Sequence, residues 1–344
     1  MIIAIIAGGS GTRLWPLSTP DYPKHLLKIN GDTRSLLQHT YDRACGLTDK
    51  IYIVSDNSHI NHVKQQLPEL SDEFFIVEPA RRGTANCIMA ALVQISKRHD
   101  QDEPIASIHA DHYIRDVKGF NHSFKLATEV STTEKKIVLV GVEPDYPATG
   151  FGYIEKDGLE DETNFIYRVN SFKEKPDFEL AKEYVSSGNY LWNCGYFVGS
   201  VNTFKQKMES YAPKLLENFE KLLAADDEYE QVYLGLESEA IDYALIEKVK
   251  DLLVVPASFD WMDLGSYSDL HKAVGGDKEG NHTHGKVEIE DVRNSYVHNQ
   301  EDKPVVVIGM DNVAVINTPD GILVTRKDLA QKVGEVSKRL KSRE

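Results

Sequence analysis

The sequence predicts an α/β fold, a doubly wound and mostly parallel sheet followed by a small β module. Three observations carry this. Short apolar runs recur at 2–7, 51–54, 74–77, 105–108 and 137–140, each β-branched and apolar throughout, as strands covered on both faces read. Helical patterns lie between them, the clearest placing Ala85, Ile88, Met89, Leu92 and Ile95 on one face. Such alternation implies right-handed crossovers. Beyond residue 281 the pattern changes to short alternating pieces (Val287/Ile289, Val305/Val307, Val313/Val315, Ile322/Val324) broken by Asn, Asp, Pro and Gly.

In chain order, the first five runs supply the sheet. Residues 150–200 read as a mixed insertion with strands at 152–155, 166–172 and 195–199, and long helices are expected at about 201–224 and 237–250. Gly275–Asn281 reads as a linker, 282–328 as the all-β module, and the remainder as a charged amphipathic helix. The expected division is 1–274 and 282–344, one large and one smaller domain within 344 residues.

Composition narrows the function. With 41% hydrophobic residues the chain buries a real core. No apolar run reaches the ~18 residues of a membrane span, and the opening residues lack a signal peptide's basic flank, so a cytoplasmic protein without a membrane partner is expected. A net charge of −15 excludes a general nucleic-acid binder, since phosphate backbones would be repelled. Cys45, Cys87 and Cys194 are odd in number and widely spaced, which argues against a disulfide framework.

The first strand runs into Gly8-Gly9-Ser10-Gly11-Thr12-Arg13. Glycines let backbone N–H groups approach an anion, and Arg13 adds a planar charged fork suited to phosphate oxygens. The Gly-Lys-Ser/Thr of a Walker loop is absent. So are the third glycine (Leu14 stands there) and the ribose-binding acid of a dinucleotide fold, which disfavours an NAD-dependent oxidoreductase. Lys24 follows on the same connection. Asp111 stands at a strand's carboxyl end, where ligands of open α/β sheets bind, and Asp263 lies in Trp261-Met262-Asp263-Leu264-Gly265. The histidine pairs His59/His62, His109/His112 and His282/His284 lack an HExxH helix or a cysteine partner and read as surface or core residues.

Ala7-Gly8-Gly9-Ser10-Gly11-Thr12-Arg13-Leu14-Trp15-Pro16-Leu17-Ser18, with Pro23-Lys24 after it, resembles the signature of the sugar-1-phosphate nucleotidyltransferases. Its Trp-Pro-Leu-Ser form resembles the mannose-1-phosphate guanylyltransferases (GDP-mannose pyrophosphorylases). Further matches are Phe172-Lys173-Glu174-Lys175-Pro176, Thr149-Gly150-Phe151-Gly152, Trp192-Asn193-Cys194-Gly195 and Glu78-Pro79-Ala80-Arg81-Arg82-Gly83-Thr84-Ala85. In the last, Gly83 replaces the family's Asn, and Asn86-Cys87 replaces Pro-Ala. Thr19 and His25 replace a common Arg and Gln.

The resemblance implies a Rossmann-like nucleotidyltransferase domain with a short left-handed β-helix at its end. It implies a nucleotide site of Ala7, Gly8, Gly9, Ser10, Gly11, Thr12, Arg13, Glu78, Pro79, Arg82, Thr84 and Ala110, and a sugar-phosphate site of Gly150, Glu174, Lys175 and Asn193. Arg13, Lys24, Asp111 and Asp263 become catalytic, with Mg²⁺ as cofactor on Asp111 and Asp263. The reaction implied transfers GMP from GTP to mannose 1-phosphate, giving GDP-mannose and pyrophosphate. A homodimer through the β module is a further expectation. Alternatives are another hexose 1-phosphate or triphosphate, or a non-catalytic nucleotide-sugar-binding subunit; the latter is disfavoured because Arg13, Lys24, Asp111, Lys175 and Asp263 are all present.

Overall fold

Strand β1 (Ile2–Ile6) shows why an uninterrupted apolar run is required at the centre of the molecule. Ile2, Ala4 and Ile6 face one core and Ile3 and Ile5 the other, all buried, because successive side chains point to opposite faces of a sheet. In this computed structural model, which describes residues 1–342 apart from Ser10 and Asn30, β1 is flanked by parallel neighbours. These are β2 (Ile51–Asp56), beyond which lies β3 (Phe75–Glu78), and on the other side β4 (Pro104–His109). The chain moves outward from β1 to β3 and returns to β4, so the cleft between the carboxyl ends of β1 and β4 is a topological switch point. Helices α1 (Leu36–Cys45), α2 (Ile60–Gln66) and α4 (Val117–Glu134) cover one face, and α3 (Gly83–Ser96) the other. A reciprocal capping box of Ser35 and Gln38 starts α1.

The sheet continues with β6 (Val138–Val142), β7 (Gly152–Asp161), β8 (Ile166–Lys173), β9 (Tyr190–Ser200) and β10 (Leu253–Pro256), in the order β3-β2-β1-β4-β9-β6-β10-β8-β7. Strands β8 and β9 run against the others, and β9 wedges between β4 and β6. A separate two-stranded ribbon joins β5 (His112–Tyr113) to β11 (Met262–Asp263).

Two helical expectations fail. The run at 201–224 is two helices, α6 (Val201–Tyr211) and α7 (Pro213–Ala224), because Pro213 forces Ala212 out of the helical region, to φ −147° and ψ 61°. The stretch 237–250 holds only the four-residue α9 (Ile241–Ala244) and a 3₁₀ turn. Its first residues are extended, with Glu239 exchanging backbone hydrogen bonds with Arg82 and Ala85. That pairing takes the backbone groups a helix would need. Helix α5 (Phe178–Ser187) precedes β9, and α8 (Tyr229–Leu234) lies between α7 and α9.

After α10 (Tyr267–Val274) the chain winds into a β-helix. Strands β12 (His282–His284), β14 (Tyr296–Asn299) and β16 (Val313–Thr318) stack in parallel, as do β13 (Val287–Glu290) and β15 (Val305–Ile308), around Val292, Val297, Val307, Val313 and Val315. Strand β17 (Gly321–Arg326) folds back antiparallel, and α11 (Val333–Lys341) follows. Leu14, Leu264 and Tyr267 of the first part share one core with Tyr296, Ala314, Ile316, Ala330 and Val333 of the second. Among the described residues no helix is long and apolar enough to cross a membrane.

Candidate active site

The ends of β1 and β4 lie side by side, Ile6 opposite His109, so the loops leaving them share one cleft. Ala7 is buried and gives its amide to Val54 of β2, and Ala110 gives its amide to Ile6. Both anchor the loops and leave their neighbours to face the cleft. At Gly8 and Gly9 a Cβ would meet open space. Gly11 takes φ +58°, and a Cβ there would stand 2.6 Å from the Lys24 amide nitrogen, so glycine lets Lys24 close over the loop. Thr12 and Arg13 follow in a 3₁₀ turn, and with Gly9, Gly11, Lys24, Asp111 and Leu264 they line a cavity of about 210 Å³. The expected nucleotide residue Ser10 lies outside the described residues.

Lys24 is the centre of this cluster. Its Nζ stands 2.8 Å from Asp111 Oδ2 and 2.5 Å from Asp263 Oδ1, and Arg13 Nη2 is 3.5 Å from the other Asp263 oxygen. The β5–β11 ribbon makes the meeting possible by setting Asp263 opposite His112, next to Asp111. Burial disfavours the Lys24 ammonium, yet the two carboxylates outweigh that and raise its pKa. Burial likewise opposes both carboxylates, and Lys24 holds them below their usual range. His112 donates to or accepts from Tyr196 at 2.7 Å, and burial lowers its pKa to about 3, so it adds no charge. Two carboxylates converging on one cationic centre form a donor set that suits a hard, oxygen-seeking cation such as Mg²⁺, which keeps several waters and needs few protein ligands.

A second cluster lies across β9. Lys175 Nζ is 2.7 Å from Glu174 Oε1, while Glu174 Oε2 is buried with no partner among the described residues, an acceptor suited to a hydroxyl donor. Lys175 holds φ +47°, a left-handed conformation rare outside glycine and frequent at ligand sites. Asn193 donates to Asp242 Oδ1 at 2.7 Å and accepts from the Gly195 amide. Gly150 is exposed with open space around it. His109, at the end of β4, packs against Gly195 and joins the two clusters.

The nucleotidyl transferase family model matches residues 3–279, and the β-helix domain model of mannose-phosphate isomerase and GMP-type proteins matches 286–340. An Escherichia coli K12 mannose-1-phosphate guanylyltransferase is 33% identical over 98% of this chain and 73% of its own length. The chain belongs to the mannose-1-phosphate guanylyltransferases. The alginate biosynthesis protein AlgA of Pseudomonas syringae pv. tomato is 35% identical over 98% of this chain and 71% of its own. A solved Thermus thermophilus structure, described as a mannose-1-phosphate geranyltransferase, superposes with a TM-score of 0.88 at 30% identity over 99% of both chains.

In this guanylyltransferase the side chains of the expected base-reading segment are engaged within the protein. The Glu78 carboxyl is turned inward, accepting from the Tyr233 hydroxyl, and burial raises its pKa. Arg82 donates to the Leu234 carbonyl at 2.9 Å, and the Thr84 hydroxyl accepts from the Ile241 amide at 3.0 Å. All three expected side chains hold residues 233–241 in place, and the Arg82 carbonyl accepts from the Glu239 amide in the same contact. Gly83 takes φ +80°, and a Cβ there would collide with the Glu239 backbone. Those two constraints account for the missing family Asn.

Asp242 escaped sequence analysis because it sits in a segment that reads as an ordinary helix. Burial, then the Glu174 charge, raises its pKa to about 6 from an ordinary 3.8. The native state therefore holds more protons than the unfolded chain between those values, and stability falls as pH rises through that window. Asp242→Asn is expected to stabilise the fold by about 1–3 kcal/mol above pH 6, the gain shrinking toward pH 4. Thermal unfolding across pH checks this; an Asn variant less stable at pH 7.5 would contradict it.

Proposed function

We propose that the enzyme transfers GMP from GTP to mannose 1-phosphate, releasing pyrophosphate and giving GDP-mannose. The observation that carries this is Lys24, locked between Asp111 and Asp263 beside a glycine loop, with the Glu174–Lys175–Asn193 cluster across β9. The sugar phosphate is already ionised, so an oxygen of it attacks the α-phosphorus of GTP directly and the electron pair of the breaking bond leaves with pyrophosphate. Catalysis is then positioning and charge neutralisation.

The amides of Gly8 and Gly9, where no side chain stands in the way, and the Arg13 fork hold the β- and γ-phosphates. Lys24 offsets charge developing at the α-phosphate, and Lys175 holds the attacking phosphate. Glu174 Oε2 and Asn193 take sugar hydroxyls, discriminating against hexoses that misplace them. Asp111 and Asp263 would hold Mg²⁺, which would supply further neutralisation of phosphate charge when bound. With Glu78 turned inward, the backbone of Pro79–Arg81 reads guanine.

Pyrophosphate release across four nucleoside triphosphates and several hexose 1-phosphates tests the reading. Backbone hydrogen bonds to a base still discriminate, so kcat/KM for GTP with mannose 1-phosphate is expected to exceed that for ATP, UTP or dTTP by at least about tenfold. Equal or better use of another triphosphate would remove the guanine assignment and leave the transfer chemistry standing.

A further inference from the structure

We propose that α11, the helix closing the β-helix module, is a working part of the nucleotide site because it positions Arg13. The buried residues Val333, Gly334 and Ser337 follow the i, i+1, i+4 spacing of one face of α11, and the helix packs on the turn that carries Arg13. A Cβ at Gly334 would stand 3.1 Å from Arg13 Cγ and 3.8 Å from its Cα. On the far side, a Cβ at Gly265 would stand 2.9 Å from Arg13 Nη1 and 3.3 Å from its Cζ.

Neither glycine has the positive φ that would call for glycine on backbone grounds. Gly334 moreover weakens a helix relative to alanine. Close approach to Arg13 is the physical reason left for both. Arginine is long and loses much rotamer freedom when held, so a cation meant for phosphate oxygens benefits from being fixed beforehand. One glycine seats its stem, the other its guanidinium, and Asp263 at 3.5 Å sets its direction. The stem's seat belongs to the C-terminal module, so that module acts on nucleotide use.

The inference rests on the proposed reaction, and a coupling experiment on the full chain separates the two. Gly334→Leu is expected to raise the KM for GTP about tenfold while changing the KM for mannose 1-phosphate by less than about twofold. Gly334→Ala should give a smaller shift of the same kind, and it keeps the test alive should the leucine variant misfold. Glu335→Ala, on the exposed side of the helix, should leave both constants unchanged. In an Arg13→Ala background the Gly334 substitutions should cost nothing more, because they act through the missing side chain. GTP binding followed directly by titration should show the same non-additivity without turnover. Additive losses in the double variant, or equal rises in both KM values, would overturn the inference. An inactive wild-type enzyme that still shows the coupling in GTP binding would count against the proposed reaction alone.

Discussion

Lys24→Met is expected to lower kcat by about 10³-fold and to destabilise the protein at the same time, since one ammonium offsets both substrate charge and two protein carboxylates. Lys24 is buried, with Asp111 at 2.8 Å and Asp263 at 2.5 Å. Removing it leaves two carboxylates facing each other with Arg13, at 3.5 Å from one of them, as the cation still paired with them among the described residues. A fully buried pair broken this way costs about 3–5 kcal/mol; with Asp111 still 28% exposed, about 2–3 kcal/mol is expected. The carboxylates also lose the charge that holds their pKa values down, so the acid limb of any residual activity should move to higher pH. Lys24→Arg should recover stability better than kcat, because the longer planar fork does not fit the place of an ammonium held 2.8 Å from Asp111 and 2.5 Å from Asp263. Steady-state kinetics with urea unfolding at pH 8 reads both effects. A methionine variant within tenfold of the parent kcat would remove Lys24 from the chemistry.

The residues of this centre were legible in the sequence for a local reason. Ala7, Gly8, Gly9 and Asp111 sit just past apolar strands, where an open α/β sheet collects its ligands, and Arg13 and Lys24 follow on the same first connection, so pattern and position agreed. Asp263 was legible only through the resemblance, because the ribbon that sets it opposite His112 is two residues long on each side and carries no periodic signal. The base-reading segment was legible only as a motif. What the motif does not carry is that Glu78, Arg82 and Thr84 also pair with Tyr233, Leu234 and Ile241, which lie more than 150 positions away. The same capture melts the helix expected over 237–250 and places Asp242 beside Asn193. Local propensity has no access to such pairings, since tertiary hydrogen bonds decide them.

Asp263→Asn and Asp111→Asn should each lower kcat by about 10²-fold or more, the first by the greater factor, while leaving the fold intact. Either variant keeps one carboxylate against Lys24, so no buried charge is left unpaired, unlike the lysine variant. Asp263 is the more consequential because its two oxygens face different cations, Lys24 and Arg13, and its loss frees the Arg13 fork as well. Chelation of divalent ions by EDTA is expected to stop turnover in the parent enzyme, and added Mg²⁺ to restore it. An amide ligand carries no charge, so both variants should need roughly tenfold more Mg²⁺ for half-activation, an effect that lost folding alone does not produce. Thermal unfolding within a few degrees of the parent would confirm that the deficit is electrostatic. Full kcat in both variants at the parental Mg²⁺ requirement would dismiss the two-carboxylate centre, and the transfer would then rest on Lys24 and Arg13 as its cations.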